Sequence, residues 1–515
     1  MRRKVVSLIL AATMLTTILT GCGSKASTTA TDNTNETATS SEASATPKAS
    51  GELDTSEEVN LTMYVISDRP AGQDVVDENI NKILKEKLNC TLTINWIPWS
   101  DYPNKYPLLF SSGEAFDMAY TGSWLNFTSL AQKGAFMNLD ELWPAYAPKN
   151  FAAQSEAAQQ QATVDGHYYC VPTMLATYSA YGPVYRTDLL DGTNWDGKME
   201  NFEDLEKYLD LIKEKHPEME PLDIYSAGSE LDDNYLWSLG YMSSKGANND
   251  FLFFNPEEAN PKLFTFYECK DTTPFLDMMA RWNEKGFYPK SALSDTDATK
   301  TQNGKSAVRV HNLDTFAGYS TTHREFAYSY ANFVKHVRHF PYTQDAMVIS
   351  NTSQNPERAL AVWDLITSDR EMFDAFMYGV EGTTYTLNEE GQYLITDPDQ
   401  YAGSAMWSAR TNELNRDAVG TPELFGEMKQ EFEKAIAADD TAEKYASFVI
   451  DTSNIETEYA ACQSVHQQYW WPLELGYTDA KTGLAEYQKQ MEAAGLEKVR
   501  TELQGQLDAY VAALQ

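Results

Sequence analysis

The sequence predicts an α/β fold whose last third is helical. Three observations carry this. Short β-rich runs alternate with helix-periodic stretches near the start of the body, apolar residues recur at helical spacing after residue 420, and the composition is globular at 42% hydrophobic and 12% aromatic. Val59 to Ile66 is the first β-rich run; Gly72 breaks it, and Asp74 caps a helix with the stripe Val76, Ile80, Ile83, Leu84 and Leu88. Leu92, Ile94 and Trp96 alternate as a second strand. Ser112-Gly113 then leads into a short strand from Ala115 to Tyr120, and strands separated by helices argue for a parallel sheet. Further on, Thr421 reads as an N-cap followed by Pro422 at the first helical position, with Phe425, Met428, Phe432 and Ile436 on one face. Leu496, Val499, Leu503, Leu507 and Leu514 stripe the final helix.

The N-terminus addresses the protein out of the cytoplasm. Arg2, Arg3 and Lys4 precede an apolar run from Val5 to Thr20, too short and too early for a spanning helix but of the form of a secretory core. The run ends in Leu19-Thr20-Gly21-Cys22, which resembles a bacterial lipobox and implies cleavage after residue 21 and lipidation of Cys22. From Gly23 to Ser50, nineteen of twenty-eight residues are Ala, Ser or Thr, too little apolar surface to fold, so 22–58 is expected to be a flexible tether. Without the three leading cations, 37 basic residues face 75 acidic ones, a formal charge of −38 that repels nucleic acid and anionic headgroups.

Catalytic and metal motifs are missing from the sequence: there is no CxxC, HExxH, Walker, GxGxxG or GxSxG string. His336 and His339 have ligand-like spacing, but two histidines alone do not make a metal site, and neither a metal nor a cofactor is expected. Cys90, Cys170, Cys269 and Cys462 permit three disulfide pairings or four buried thiols, and the sequence does not choose among them.

The segment GEAFDMAY (113–120) resembles the GxxPD strand signature of the family 1 extracellular solute-binding proteins, the carbohydrate receptors of ABC importers, with Phe116 where the family usually has Pro. GAFMNLDELW (134–143), DGHYYCVPTMLATYSAYGPVYRTDLL (165–190), NGKSAVRV (303–310) and ISNTSQNPERALAVWDLI (349–366) follow in the family's order. GVEGTTYTL (379–387) and AAGLEKVRTELQGQLDAYV (493–511) resemble the lipoprotein branch that carries a C-terminal domain of unknown function.

The resemblance implies a two-lobe, periplasmic-binding-protein-like fold with an interlobe hinge. Lobe one would hold 59–175 and 332–378, and lobe two 176–331 and 379–515, with crossings near Tyr169 to Ala180, Phe326 to Phe333 and Met377 to Glu381. Ligand then binds in the crevice at the carboxyl ends of strands. A pyranose offers an apolar face to Trp or Tyr and a hydroxyl rim to polar side chains. The candidate binding residues are accordingly Asp68 and Arg69 after the first strand, Trp99 and Asp101 after the second, and Ser123 and Trp124 after the third. Tyr178 and Tyr181 lie on the first crossing, Glu381 on the third, and Trp407, Arg410 and Asn412 in a segment resembling the branch's cleft. The indole N–H of Trp124 is expected to be free for a sugar hydroxyl.

The function implied is a monomeric, lipid-anchored receptor on the outer face of the cytoplasmic membrane. It would capture an oligosaccharide by hinge closure and deliver it to the permease of an ABC importer. Three alternatives stay open: a receptor for peptide or another solute, a surface glycan-binding lipoprotein without a transporter, and a glycoside hydrolase, which needs only two opposed carboxylates.

Overall fold

The computed structural model describes residues 53–99, 101–175, 177–225, 230–245 and 250–514. The signal segment, Cys22 and the tether as far as Glu52 lie outside the described residues. In chain order, β1 (Val59–Ile66), α1 (Gln73–Leu88), β2 (Cys90–Ile97), α2 (Tyr102–Ser111) and β3 (Met118–Thr121) lead into α3 (Phe127–Gln132), α4 (Glu156–Gln161) and β4 (Val171–Pro172). The main elements that follow are β5 (Tyr181–Arg186), α5 (Phe202–Lys215), β6 (Glu220–Leu222), α6 (Leu231–Ser238), α7 (Thr272–Lys285), β7 (Ser306–Asn312), α8 (Leu313–Thr322) and β8 (Tyr328–Tyr330). The chain returns through β9 (Ala346–Ile349), α9 (Pro356–Ser368) and α10 (Arg370–Met377) to the hairpin β10 (Tyr385–Leu387) and β11 (Tyr393–Ile395). It finishes in α11 (Glu423–Ala438), α12 (Glu456–Val465), α13 (Ala480–Ala493) and α14 (Leu496–Ala513).

Two sheets organise these elements into two lobes. The first has strand order β2-β1-β3-β9-β4, the second β8-β5-β7-β6. Strands β1, β2 and β3 are parallel, as their connecting helices require, but β9 runs antiparallel to β3 and β4. The wholly parallel sheet expected from the sequence is therefore corrected to a mixed one: β9 is reached from the second lobe and enters from the opposite end. In the second sheet, β7 pairs antiparallel with β5 and parallel with β6.

Local sequence explains most of the framework. Val76, Ile80, Ile83 and Leu84 bury the inner face of α1, while Leu61, Met63 and Val65 bury one side of β1 and Ile66 is buried on the other. Gly72, not Asp74, is the N-cap of α1; Asp74 sits inside the first turn, where its charge suits the helix dipole, and pairs with Arg69. Helix α11 likewise begins one residue later than expected, with Pro422 at the cap and no side-chain cap bond. Leu514 falls beyond the end of α14 and is exposed, whereas Leu496, Val499, Leu503 and Leu507 are fully buried. Among the described residues the four cysteines are free thiols, and burial pushes Cys90 up to about 11.

The hydrophobic cores move the lobe boundaries. Tyr385, Tyr401, Met406 and Ala409 bury in the core of the first lobe, and Arg416 still reaches Asp374 of α10 at 2.7 Å. The third crossing consequently falls between about 419 and 424 rather than at 377–381, because this hairpin segment closes the first core. Phe333 packs in the second core and Val334, Val337 and Phe340 beside it, so the return to lobe one is completed at Ala346, later than the expected 332. The tether also ends earlier than 58: Leu53 packs on the first core, and the carbonyl of Thr55 accepts the Asn89 amide at 2.9 Å. Among the described residues no helix is long and apolar enough to cross a membrane.

Candidate functional site

Three indoles line the first lobe where β2 and β3 end. Trp99 leaves β2, Trp124 follows β3, and Trp407 arrives from the segment that closes the core. Trp99 lies between the other two, its ring centroid 6.3 Å from Trp124 and 6.0 Å from Trp407, with planes inclined by 22° and 21°. These are offset-parallel rings, and all three remain partly exposed. Tyr102, at the start of α2, sets its ring edge-on to both Trp99 and Trp124 at 5.7 and 5.6 Å. The wall therefore has four rings from three chain segments.

Polar contacts fix its geometry from behind. The Trp124 indole N–H donates to the Gln344 carbonyl at 3.0 Å, so it is committed to the protein, contrary to the expectation that it faces a ligand hydroxyl. Gly122 permits this approach: a Cβ there would lie 2.4 Å from the Gln344 carbonyl oxygen and 2.6 Å from Trp124 Nε1. Tyr120 packs against Trp124 and Trp407, and its hydroxyl donates to Asp345 at 2.5 Å. Arg410 donates to the other Asp345 oxygen at 2.7 Å and through Nε to the Trp407 carbonyl at 3.0 Å. One arginine thus orients the third platform and holds a buried carboxylate.

The second lobe supplies a polar face opposite. Arg309, buried on β7, donates to the Ala298 carbonyl at 2.8 Å and to the Tyr225 hydroxyl at 3.3 Å, with its guanidinium 4.9 Å from the Tyr225 ring. His311, two residues on, is pushed down to about 3 by burial and then by Arg309. Its Nε2 lies 3.5 Å from Glu230, and its Nδ1 is 2.6 Å from the Thr315 hydroxyl. Burial pushes the Tyr102 hydroxyl of the first lobe up to about 12, and Tyr225 and Glu230 of the second stand close enough to add to it. Asp314 on α8 comes to 3.5 Å from Arg410. The two walls therefore meet across the crevice.

The residues expected from sequence divide between this crevice and elsewhere. Trp99, Trp124 and Trp407 come together, with Ser123 at 3.5 Å from the Gln344 side chain. Asp101 precedes α2 and pairs with Lys105 at 2.8 Å, Asn412 donates to the Met174 carbonyl at 3.4 Å, and Asp68 is exposed beside β1. Arg69 is bound to Asp74 at 2.6 Å and Asp77 at 3.4 Å, which anchors it to α1. Tyr178 donates to Glu433 of α11 at 2.5 Å and packs on His339 and Phe432, and Tyr181 is buried against Trp237 and His311; both serve the hinge packing rather than an open face. Glu381, expected on a crossing, is exposed at the turn opening the β10 hairpin of lobe one. Tyr102, Tyr225, Arg309 and Asp345 were not singled out. Tyr102 stood three residues past Trp99 in the same Pro-rich loop, a signal that could have found it.

The model for bacterial extracellular solute-binding proteins matches residues 69–373, well over half of the chain. The chain belongs to that family. A second match, to a domain of unknown function, covers 444–512 of this solute-binding protein. A carbohydrate ABC transporter substrate-binding protein of Streptococcus pneumoniae is 26% identical over 458 residues, covering 88% of this chain and 91% of the relative. Among solved structures, the N-glycan transport solute binding protein NgtS from Streptococcus pneumoniae, in complex with Man1GlcNAc, superposes with a TM-score of 0.73 at 24% identity, over 88% of this chain and all of that one. Its Man5GlcNAc complex gives 0.72 at the same identity, over 88% and 99% of the two chains. The alginate-binding protein AlgQ2 without calcium ion gives 0.62 at 17% identity, over 89% and 100%. These likenesses establish the two-lobe fold.

Proposed function

We propose that the protein is an exported receptor that captures an oligosaccharide between its lobes and passes it to the permease of an ABC importer. The observation that carries the reading is the cluster of Trp99, Trp124 and Trp407, partly exposed, with Tyr102 beside it close to Tyr225 and Glu230 of the other lobe. Family membership and the carbohydrate relative support it. The binding residues we assign are the three tryptophans with Tyr102, and Ser123, Asp101, Asp68 and Asn412 at the rim. The reading excludes catalysis: sugar is held and released unchanged.

Thermal-shift titration of the fragment from residue 53 onward tests the assignment, because a ligand binding only the folded state raises its stability by RT ln(1 + [L]/Kd). Man1GlcNAc and Man5GlcNAc, the NgtS ligands, head the panel, with alginate oligosaccharides and short peptides beside them. Stabilisation by a glycan without new reducing ends supports a receptor; stabilisation by peptides alone removes the sugar reading, and new reducing ends make the protein a hydrolase. Anchoring we assign to the Cys22 sulfur. Cys22→Ser is expected to release a folded, ligand-competent body from the membrane, and a processed variant that stays anchored rejects the assignment.

A further inference from the structure

The segment 444–512 is buried in the second lobe, yet it also touches the first. Trp470 stacks on Phe266 at 3.9 Å and donates its indole N–H to Asp232 at 2.7 Å; Val499, Leu503 and Leu507 are fully buried in the same core. The segment therefore moves as part of lobe two. Its rim runs along the hinge. There Gln161 of α4 donates to the Ser447 hydroxyl at 2.9 Å, Gln132 of α3 donates to Asp451 at 3.1 Å, and Lys133 pairs with Glu456. Gln506 of α14 grips the Asp451 backbone at both its N–H (2.8 Å) and its carbonyl (2.7 Å), so the acceptor is presented by a rigid loop.

We propose that this C-terminal module is a latch that couples the lobes, holding α3 and α4 of lobe one against lobe two and favouring the arrangement in which the crevice is closed. The three contacts join groups of different lobes, so a rotation that separates those groups breaks them. Each is polar and partly exposed, so each sets an equilibrium rather than locking it. Exposed pairs of this kind shift a two-state population by about 1.4- to five-fold. The inference rests on the two-lobe motion in the proposed function and not on the identity of the ligand.

Charge reversal tests it without sugar. Lys133→Glu and Glu456→Lys, each in the whole exported body, are expected to raise the radius of gyration in solution scattering, and Lys133→Glu combined with Glu456→Lys to restore it. Gln161→Ala, which introduces no charge, should move the value in the same direction. Both residues of the pair are exposed, and their substitution leaves the cores intact. An unchanged radius in the single variants, or no recovery in the double one, overturns the latch. Failure to bind any glycan would sink the receptor reading while leaving this measurement untouched.

Discussion

Trp99 has an indole on either side of it, and truncating it removes both stacks at once. Trp99→Ala should weaken glycan binding by on the order of 1–3 kcal/mol, roughly ten- to a hundred-fold, because a platform ring contributes area and dispersion to one sugar face. Its ring is partly exposed, so the melting temperature should fall by less than the loss of a core Trp would cause, about 3–5 kcal/mol. Calorimetric titration beside a melting curve decides this: a lowered melting temperature with unchanged affinity removes Trp99 from the site. Asp117 makes the opposite case. Its carboxylate accepts the Thr62 N–H at 2.9 Å and the Ser353 hydroxyl at 2.6 Å, binding β1 to the segment after β9. Asp117→Ala leaves both donors without that acceptor and should cost about 1–3 kcal/mol of stability, read by denaturant titration, with affinity for sugar retained. At this scale the sequence was informative wherever a residue followed a strand. It put Trp99 after β2 and Trp124 after β3, where they stand, but gave no sign of the commitment of the Trp124 N–H to Gln344, since that partner lies 220 residues away in the chain.

The hinge crossings are elements whose chemistry depends on pH. Tyr178 and His339 pair across the two crossings, and His339 is held from the C-terminal side by Glu443 at 2.9 Å and Glu433 at 3.2 Å. Its bonds to Glu443, and less so to Glu433, raise the imidazole above its ordinary 6.5 against the pull of burial. Glu433 is lowered by Tyr178 first and then by His339; Glu443 is lowered by its His339 bonds although burial opposes them. The signs follow. A raised histidine stabilises fully below pH 6.5 and loses that contribution as pH rises through its folded value, whereas the lowered carboxylates contribute above about 4.5 and lose it on acidification. The cluster is therefore strongest between about pH 4.5 and 6.5. His339→Gln should flatten the alkaline side of the melting curve by about 1–2 °C relative to the unaltered protein, the small size reflecting the partial exposure of the carboxylates. An identical alkaline slope in both proteins rejects it. Helices and parallel strands of lobe one were legible because their periodicity is local. The antiparallel entry of β9 was not, because its partner β3 lies more than 200 residues away, nor was the packing of 385–409 on the first core, which includes remote contacts such as that of Trp407 with Trp99.

At the scale of the whole molecule, the expected event is closure of one lobe on the other around the sugar. Arg410 is placed to register it: the same guanidinium holds Asp345, supports the Trp407 carbonyl and meets Asp314 of the second lobe at 3.5 Å. Asp345 remains as its partner when the lobes part, so opening leaves no bare buried charge, and Asp314 contributes only when they meet. Ligand contacts to both walls then favour the closed state by their difference in affinity for the two states. Asp314→Asn isolates this step, since it deletes the interlobe charge without disturbing the Arg410–Asp345 pair or the tryptophans. Half of the Asp314 side chain is exposed, so the expected loss of glycan affinity is a modest two- to five-fold, carried by faster dissociation, with the melting temperature of the sugar-free protein unchanged. Scattering supplies the second readout: the radius of gyration of the unaltered protein should fall at saturating Man5GlcNAc, and that of Asp314→Asn should fall only at a higher concentration. A radius that stays constant at saturation, with binding confirmed by calorimetry, would mean that the sugar is held by one lobe and that closure is not how this receptor captures it.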